Sequence, residues 1–368
     1  AFTLPPYPSY HVPHRHMEHK PALAGLPAEE LARLLKAYPP FRSRQIHQWI
    51  CGGAAAFDEM INLPAALRKD LAEQYDLIPG AASSRREDAD GTAKLGITFA
   101  DGAAVEAVIL SDGEGRKTAC LSTQAGCPAG CVFCKTGSLG FKRNLSAAEI
   151  AGQFLHLRKM APGISHIVIM GMGEPLLNLE ELRSALGFFM ENGGLNISKR
   201  RITISSCGIE KGILDLAEYG PDARFALSLT TARQELRQRL MPISRENPLP
   251  KIRDALVKYQ KTRKQRITLE MVLLGGINSS ARDAEAAAEF VRSGAGLDAV
   301  INLIPWNPVA GLEFEGRALR APTPRETADF TAALENRGLK VTRRFRKGSS
   351  ICGACGQLGA LSEAPHFG

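Results

Sequence analysis

A chain of 368 residues, 44% of them hydrophobic and with no apolar run near the roughly 18 residues a membrane helix needs, reads as a soluble protein with one large domain and one small one. Its formal charge of +8 favours a polyanionic partner, nucleic acid first, because Lys and Arg that neutralise phosphates release counterions. The eight cysteines crowd into one trio and one C-terminal pair, with Cys51, Cys120 and Cys207 elsewhere; this is no secreted disulfide framework, so a reducing cytosol is the expected compartment.

In chain order, residues 1–21 carry His and Pro but no apolar core before a small-residue cleavage site, and read as a flexible lead-in rather than a secretory signal. Residues 22–80 predict a small helical domain: Leu31, Leu34 and Leu35 are spaced for one helix face, a second helix stops at Gly52-Gly53, and Pro64 opens a third. The polar run 81–91 predicts a linker, and the stretch to 117 an extended hairpin turning at Asp101-Gly102. From 118 to 349, short β-branched runs alternate with amphipathic stretches. Strands are expected at 118–123, 166–170, 201–206, 224–229, 266–274, 298–304 and 339–344. Helix starts are signalled by Ser146 with Glu149, Asn178 with Glu181 and Thr323 with Glu326. The pattern predicts an α/β fold, a partial (β/α)6 TIM-like barrel with an N-terminal helical accessory domain and a C-terminal segment over 350–368.

Barrels of this kind carry their chemistry at the C-terminal strand ends, and here those ends are unusual. The first strand leads to Cys127, Cys131 and Cys134, a C-x3-C-x2-C loop. The second leads to Gly171-Met172-Gly173-Glu174-Pro175, the third to Ser205-Ser206, the fourth to Ser228-Leu229-Thr230 and the sixth to Pro305-Trp306-Asn307-Pro308. Three thiolates on a cubane iron–sulfur cluster leave one iron free for substrate, so the trio looks like a reactive cluster site. Structural zinc also takes closely spaced cysteines, although it wants four ligands and no fourth lies nearby. Ser205, Ser228 and Asn307 are equally readable as strand-end caps.

On these residues the chain resembles the radical S-adenosylmethionine (SAM) RNA methyltransferases of the RlmN and Cfr type. The likeness runs from residue 26 to 358. It includes Phe41-Arg42-Ser43-Arg44-Gln45-Ile46, Asn62-Leu63-Pro64, Val105-Glu106, Arg143-Asn144-Leu145, the run from Met170 to Asn178, Leu240-Met241-Pro242 and Cys355-Gly356-Gln357-Leu358. The resemblance implies one 4Fe-4S cluster on Cys127, Cys131 and Cys134, whose open iron chelates SAM. It also implies a SAM site of Gly173, Glu174, Ser205, Ser228, Leu229, Thr230 and Asn307.

An electron-poor adenine ring carbon will not attack the methyl of SAM, so the family's chemistry is radical. One SAM methylates a cysteine and a second, two per turnover, is cleaved to a radical that activates that methyl for addition to the base. Release of the adduct requires another thiol and forms a disulfide. The resemblance assigns Cys355 as methyl carrier, Cys120 as resolving thiol and Glu106 as acceptor of the base proton. Read as residues alone, Cys120, and less readily Cys355 in its Gly-flanked tail, are small buried hydrophobes and Glu106 a solvated strand face.

The chain departs from the family pattern at Thr230, where histidine is usual, at Ser205-Ser206-Cys207-Gly208, where Ser-Thr-x-Gly is usual, and at Cys352, where an acid is usual. Cys352 makes a C-x-x-C pair with Cys355, able to capture it or to act as the resolver. RNA contact is read from Arg42, Arg44, Lys199-Arg200-Arg201 and Arg343-Arg344-Phe345-Arg346-Lys347, which as charge runs are otherwise solvated surface. The expected activity is methylation of adenine, most readily at C2, in large-subunit 23S ribosomal RNA, with transfer RNA as second substrate, by a cytoplasmic monomer. A flavodoxin or ferredoxin would supply electrons, and no membrane is involved. C8 methylation, a zinc-stabilised RNA-binding module and a glycyl-radical activase are the other readings.

Overall fold

The computed structural model describes residues 20–344, 347–348 and 350–359. Most of the expected lead-in, the Phe345 and Arg346 of the basic run, and the end of the C-terminal segment lie outside the described residues.

Three helices come first, α1 (Ala28–Leu34), α2 (Pro40–Gly52) and α3 (Ala65–Gln74). Ile46 and Ile50, one turn apart, bury one face of α2, and Gly53, in the left-handed region at φ 95°, closes it with its N–H on Ile50 O. Of the three leucines expected on one face only Leu31 and Leu35 are buried; Leu34, at the edge of the stripe, is 40% exposed.

The polar run read as a linker is instead a strand, β1 (Ala81–Glu87), antiparallel to β2 (Ala93–Thr98), which pairs with β3 (Ala104–Ser111). Polar side chains point from both faces of this sheet edge, so the alternation that betrays a half-buried strand never arises. The topology changes at β4 (Lys117–Cys120), antiparallel to β3 on one side and parallel to the next core strand on the other.

A small antiparallel pair, β5 (Gln124–Gly126) and β6 (Phe141–Asn144), brackets the cysteine loop and the single turn α4 (Lys135–Ser138). The barrel then proceeds through α5 (Ala147–Met160), β7 (Ile164–Ile169), α6 (Leu179–Met190), β8 (Ile202–Ser206), α7 (Glu210–Tyr219) and β9 (Arg224–Ser228). It continues with α8 (Gln234–Leu240), α9 (Leu249–Arg263), β10 (Ile267–Leu273), α10 (Ala281–Arg292) and β11 (Ala299–Pro305). The hairpin β12 (Glu313–Phe314) and β13 (Arg317–Ala318), α11 (Pro324–Glu335) and β14 (Val341–Arg343) complete it.

The sheet order β1-β2-β3-β4-β7-β8-β9-β10-β11-β14 is open, and from β4 onward every pairing is parallel, as in an incomplete barrel. Alternation decides which side chain faces which layer. On β8, Ile202 and Ile204 are buried under the helices while Thr203 and Ser205 face the barrel interior. Ser146 and Thr323 start α5 and α11 with complete capping boxes, and Ser280 with Asp283 starts α10 the same way. Asn178 does not cap α6. Its amide donates to Thr123 O and Leu145 O, binding the strand-end loops together, while Glu181 accepts from Ala147 N–H at the start of α5.

Candidate active site

Five strand ends do converge. The cysteine loop, Gly173-Glu174, Ser205, Ser228 with Thr230, and Trp306-Asn307 line one cavity of about 160 Å³, joined by Cys207, noted in the sequence as a departure from the family pattern, and by Glu270, which sequence reasoning missed. Gly126 turns the chain into the cysteine loop at φ 76°, where a Cβ would run into Gly140 O, and Cys127 N–H donates to that same carbonyl at 2.9 Å. Val132 N–H reaches Leu240 O at 3.0 Å and Trp306 Nε1 donates to Phe133 O at 2.8 Å, so the loop is tied to the barrel from both sides. At Gly173, φ 101°, a Cβ would stand 2.8 Å from Gln124 N; the close approach lets Glu174 N–H donate to Gln124 Oε1 at 2.8 Å.

Burial pushes the Cys127 thiol up to about 12 and the Cys131 thiol well above its ordinary value, and it raises Cys134 too. Iron must therefore displace protons as it binds, which couples cluster assembly to pH. Burial also raises the Glu174 carboxyl, against hydrogen bonds from Cys207 and Leu176 N–H that favour its charged form. Behind the wall lies Arg237, fully buried, whose guanidinium donates to Ser228 O, Leu229 O and Cys207 O; burial lowers its pKa. A cation so placed complements a polyanionic group on the thiols beside it. Nothing in an ordinary amphipathic helix such as α8 marks Arg237 beforehand. Glu270, a carboxylate inside the apolar run of β10, did carry a signal: it accepts from Ser205 Oγ at 2.7 Å.

The donor set fits a cluster with SAM. The three loop thiols share the cavity with Cys207 and Cys355, and two buried polar atoms on its wall, Thr230 Oγ1 and Asn307 Oδ1, have no protein partner, leaving them for a polar ligand. Leu229 is buried and lines no part of the cavity; its contribution is the carbonyl that holds Arg237.

The C-terminal segment crosses this mouth. Asn307 Nδ2 donates to Cys355 O at 3.0 Å, Lys135 N–H to Gly356 O at 2.8 Å and Thr136 Oγ1 to Leu358 O at 2.6 Å. Gly348 N–H and Ser350 N–H meet Asp90 and Asp88 in the β1–β2 turn at 2.9 and 3.0 Å. Cys355 thereby faces the cluster cavity and also a second cavity of about 520 Å³, which carries Cys120. Cys120 is buried, its thiol pushed to about 12 by burial and then by the neighbouring Cys355. Cys352 is exposed and lines neither cavity. All eight cysteines are free.

Glu106 is not a solvated strand face. It is 2% exposed, pairs with buried Lys94 at 2.9 Å and accepts from Gly359 N–H at 2.5 Å, lining neither cavity.

The second cavity reaches down the barrel interior from Arg343, Arg344 and Lys347 at the end of β14 to the strand starts, where Arg116, Arg200, Arg201 and Arg224 gather. The His166 pKa is lowered by burial and then by the positive charges of Arg116, Arg201 and Arg224. Arg200, Arg201, Arg343, Arg344 and Lys347, all read from the sequence as RNA contacts, line this cavity, and Arg116 and Arg224, which were not foreseen, join them. Arg42 is engaged within the chain, with Gln45 and Asn62 O, and Lys199 pairs with Asp222 at 2.9 Å; Arg44 remains exposed.

Residues 121–291 match the radical SAM superfamily, and residues 22–77 match the N-terminal domain of ribosomal RNA large subunit methyltransferases. A probable dual-specificity RNA methyltransferase RlmN of Treponema denticola is 46% identical, over 94% of this chain and 97% of its own length. The chain belongs to the RlmN family of radical SAM RNA methyltransferases. A second RlmN relative, from Anaeromyxobacter, is 38% identical over 93% of this chain and 92% of its own. A radical SAM methyltransferase of Sphaerobacter thermophilus superposes with a TM-score of 0.86 at 35% identity, covering 92% of this chain and 99% of its own. Membership in the RlmN family makes this an RNA methyltransferase and implies a 4Fe-4S cluster and SAM, which sets aside the zinc-stabilised module and the activase. No helix among the described residues is long and apolar enough to cross a membrane.

Proposed function

We propose that this enzyme methylates C2 of an adenine in large-subunit 23S ribosomal RNA, with a transfer RNA adenine as second substrate, through a methyl group carried on Cys355. The observation that carries the reading is the position of Cys355, the one thiol common to the thiol-lined cavity and the arginine-lined one. Relatives named as dual-specificity RNA methyltransferases support the pair of substrates.

Cys127, Cys131 and Cys134 would hold the cluster, and Gly173, Glu174, Ser205, Ser228, Thr230 and Asn307 would hold SAM, with Leu229 supporting through its backbone. The bound cluster and SAM, two molecules per turnover, supply the methyl group and the one-electron chemistry. Glu174 presents a carboxylate to the SAM amino group, and the unpaired oxygens of Thr230 and Asn307 accept its remaining donors. The arginines of the larger cavity draw in the phosphate backbone and a base flipped from its stack. Cys120, beside Cys355 on that side, would attack as its thiolate the Cys355 sulfur; as the disulfide forms, the bond from that sulfur to the product carbon breaks, and the carbon keeps the electron pair and takes up a proton. Its adjacency favours Cys120 over exposed Cys352 as the resolver. Glu106 takes the base proton once the tail releases its hold through Gly359 N–H.

Free thiols throughout and a ribosomal substrate fit a cytoplasmic enzyme, acting as a monomer and reduced by a flavodoxin or ferredoxin. Mass mapping of adenines in ribosomal and transfer RNA from cells with and without the protein tests the reading. A 2-methyladenine that disappears with the protein supports it, whereas an 8-methyladenine or an unchanged RNA overturns it.

A further inference from the structure

Side chains two apart on a strand share a side, so Arg224, the first residue of β9, faces the barrel interior together with Ser228, the last. Ser228 lines the cluster cavity and Arg224 the larger one. Sheet register ties Arg224 to the resolving thiol: Cys120 pairs with Val168, Val168 with Thr203 and Thr203 with Arg224, one row across β4, β7, β8 and β9. All four residues line the larger cavity. From Cys120 to Arg224 the row covers three strand spacings, about 14 Å at the backbone. Arg201, two residues before Thr203, lines the same cavity from the foot of β8.

The cations of this cavity are not equivalent. Arg116 pairs with Asp112 at 3.0 Å and Arg344 reaches Glu270 at 3.8 Å, whereas among the described residues no carboxylate pairs with Arg201 or Arg224. The Thr203 hydroxyl, in register with Arg224, likewise takes no hydrogen bond among the described residues. Two unpaired guanidinium groups with a hydroxyl beside them are the donors a phosphate oxygen set requires. The cavity, about 520 Å³, also opens on Cys355, and its size falls in the roughly 300–1,000 Å³ range of small-ligand sites.

We infer that Arg201, Thr203 and Arg224 form a subsite for the phosphate of the very nucleotide being methylated, one nucleotide's length from the donor sulfur. The identity of the base at Cys355 rests on the proposed function; the subsite rests on register, charge and the shared cavity. Every nucleotide carries a phosphate, so this contact sets the distance from backbone to donor and leaves the choice of base to other groups. The step is binding alone, with no bond made or broken.

Adenosine 5′-monophosphate and adenosine, titrated at one fixed low salt concentration into the full chain reconstituted anaerobically with iron and sulfide, test it. The monophosphate should bind about tenfold more tightly than adenosine, as charged hydrogen bonds allow. Arg201→Gln and Arg224→Gln should each remove most of that preference and leave adenosine binding unchanged, whereas Arg325→Gln, on the exposed face of α11, should leave the preference intact. The monophosphate should also shield Cys355 from alkylation by iodoacetamide, read by peptide mass mapping, and inorganic phosphate should not. Equal binding of the two nucleosides, an equal loss in Arg325→Gln, or a monophosphate that binds without shielding Cys355 overturns the inference. Unchanged adenines in cellular RNA would count instead against the proposed function and leave the preference for the monophosphate standing.

Discussion

The two cavities that meet at Cys355 are built from opposite chemistry in one barrel. On one side are thiols, carboxylates and serines at strand ends, backed by a buried arginine; on the other are arginines at strand starts and along β14. The difference teaches that the barrel interior is used along its whole length. The strand ends that sequence rules associate with catalysis carry the side chains proposed to hold the cluster and SAM, while the arginines of the strand starts, with those of β14, would supply the field that gathers a polyanion. One sulfur, held in a crossing tail, belongs to both.

The largest expected effect comes from breaking that junction. Cys355→Ala should abolish RNA methylation while reductive cleavage of SAM persists, read by tritium transfer to RNA alongside deoxyadenosine release. If methylation survives, the two cavities do not communicate through this thiol.

Next comes the support of the tail. Lys94 and Glu106 are both buried, and Lys94 also donates to Cys352 O at 3.1 Å. Lys94→Met strands the Glu106 charge and should cost about 3–5 kcal/mol, measurable by denaturant unfolding, with earlier proteolysis at the C-terminal segment.

A third effect is kinetic. Burial holds the Cys120 thiol at about 12, far above working pH, so its reactive thiolate is scarce and grows about tenfold per pH unit. Resolution of the RNA–protein adduct should accelerate as pH rises from 7 to 9, followed by trapping the adduct on denaturing gels; a flat profile would place the thiolate, or the resolver, elsewhere.

The smallest effect sharpens the basic side alone. Arg224→Ala should flatten the salt dependence of RNA binding by about 0.7–0.9 in log–log slope for one lost phosphate contact, with cluster content unchanged.

The strand ends were legible because cysteine, glycine and serine recur directly after several β-branched runs, and all five segments reached the predicted mouth. The capping boxes at Ser146 and Thr323 were legible because they are local. Asn178 had the same local pattern, yet its amide is taken by two carbonyls brought from other loops, a competition visible only in three dimensions. β1 escaped notice because an exposed edge lacks the apolar alternation that marks strands. Arg237 and Lys94 escaped because burial of a cation depends on partners distant in sequence.

The carboxylates of Asp88 and Asp90 moor the tail at one end, and Glu106 moors it through Gly359 at the other. While both moorings hold, the stretch between them behaves as a short span rather than a swinging arm, so the sulfur at its middle has little travel; release at Gly359 is left to the later step in which Glu106 acts as base. Delivery must then fall to the nucleic acid, whose loop has to be pliant enough to bring a base to a nearly stationary donor; rigid duplexes would be refused on mechanical grounds before any base is read.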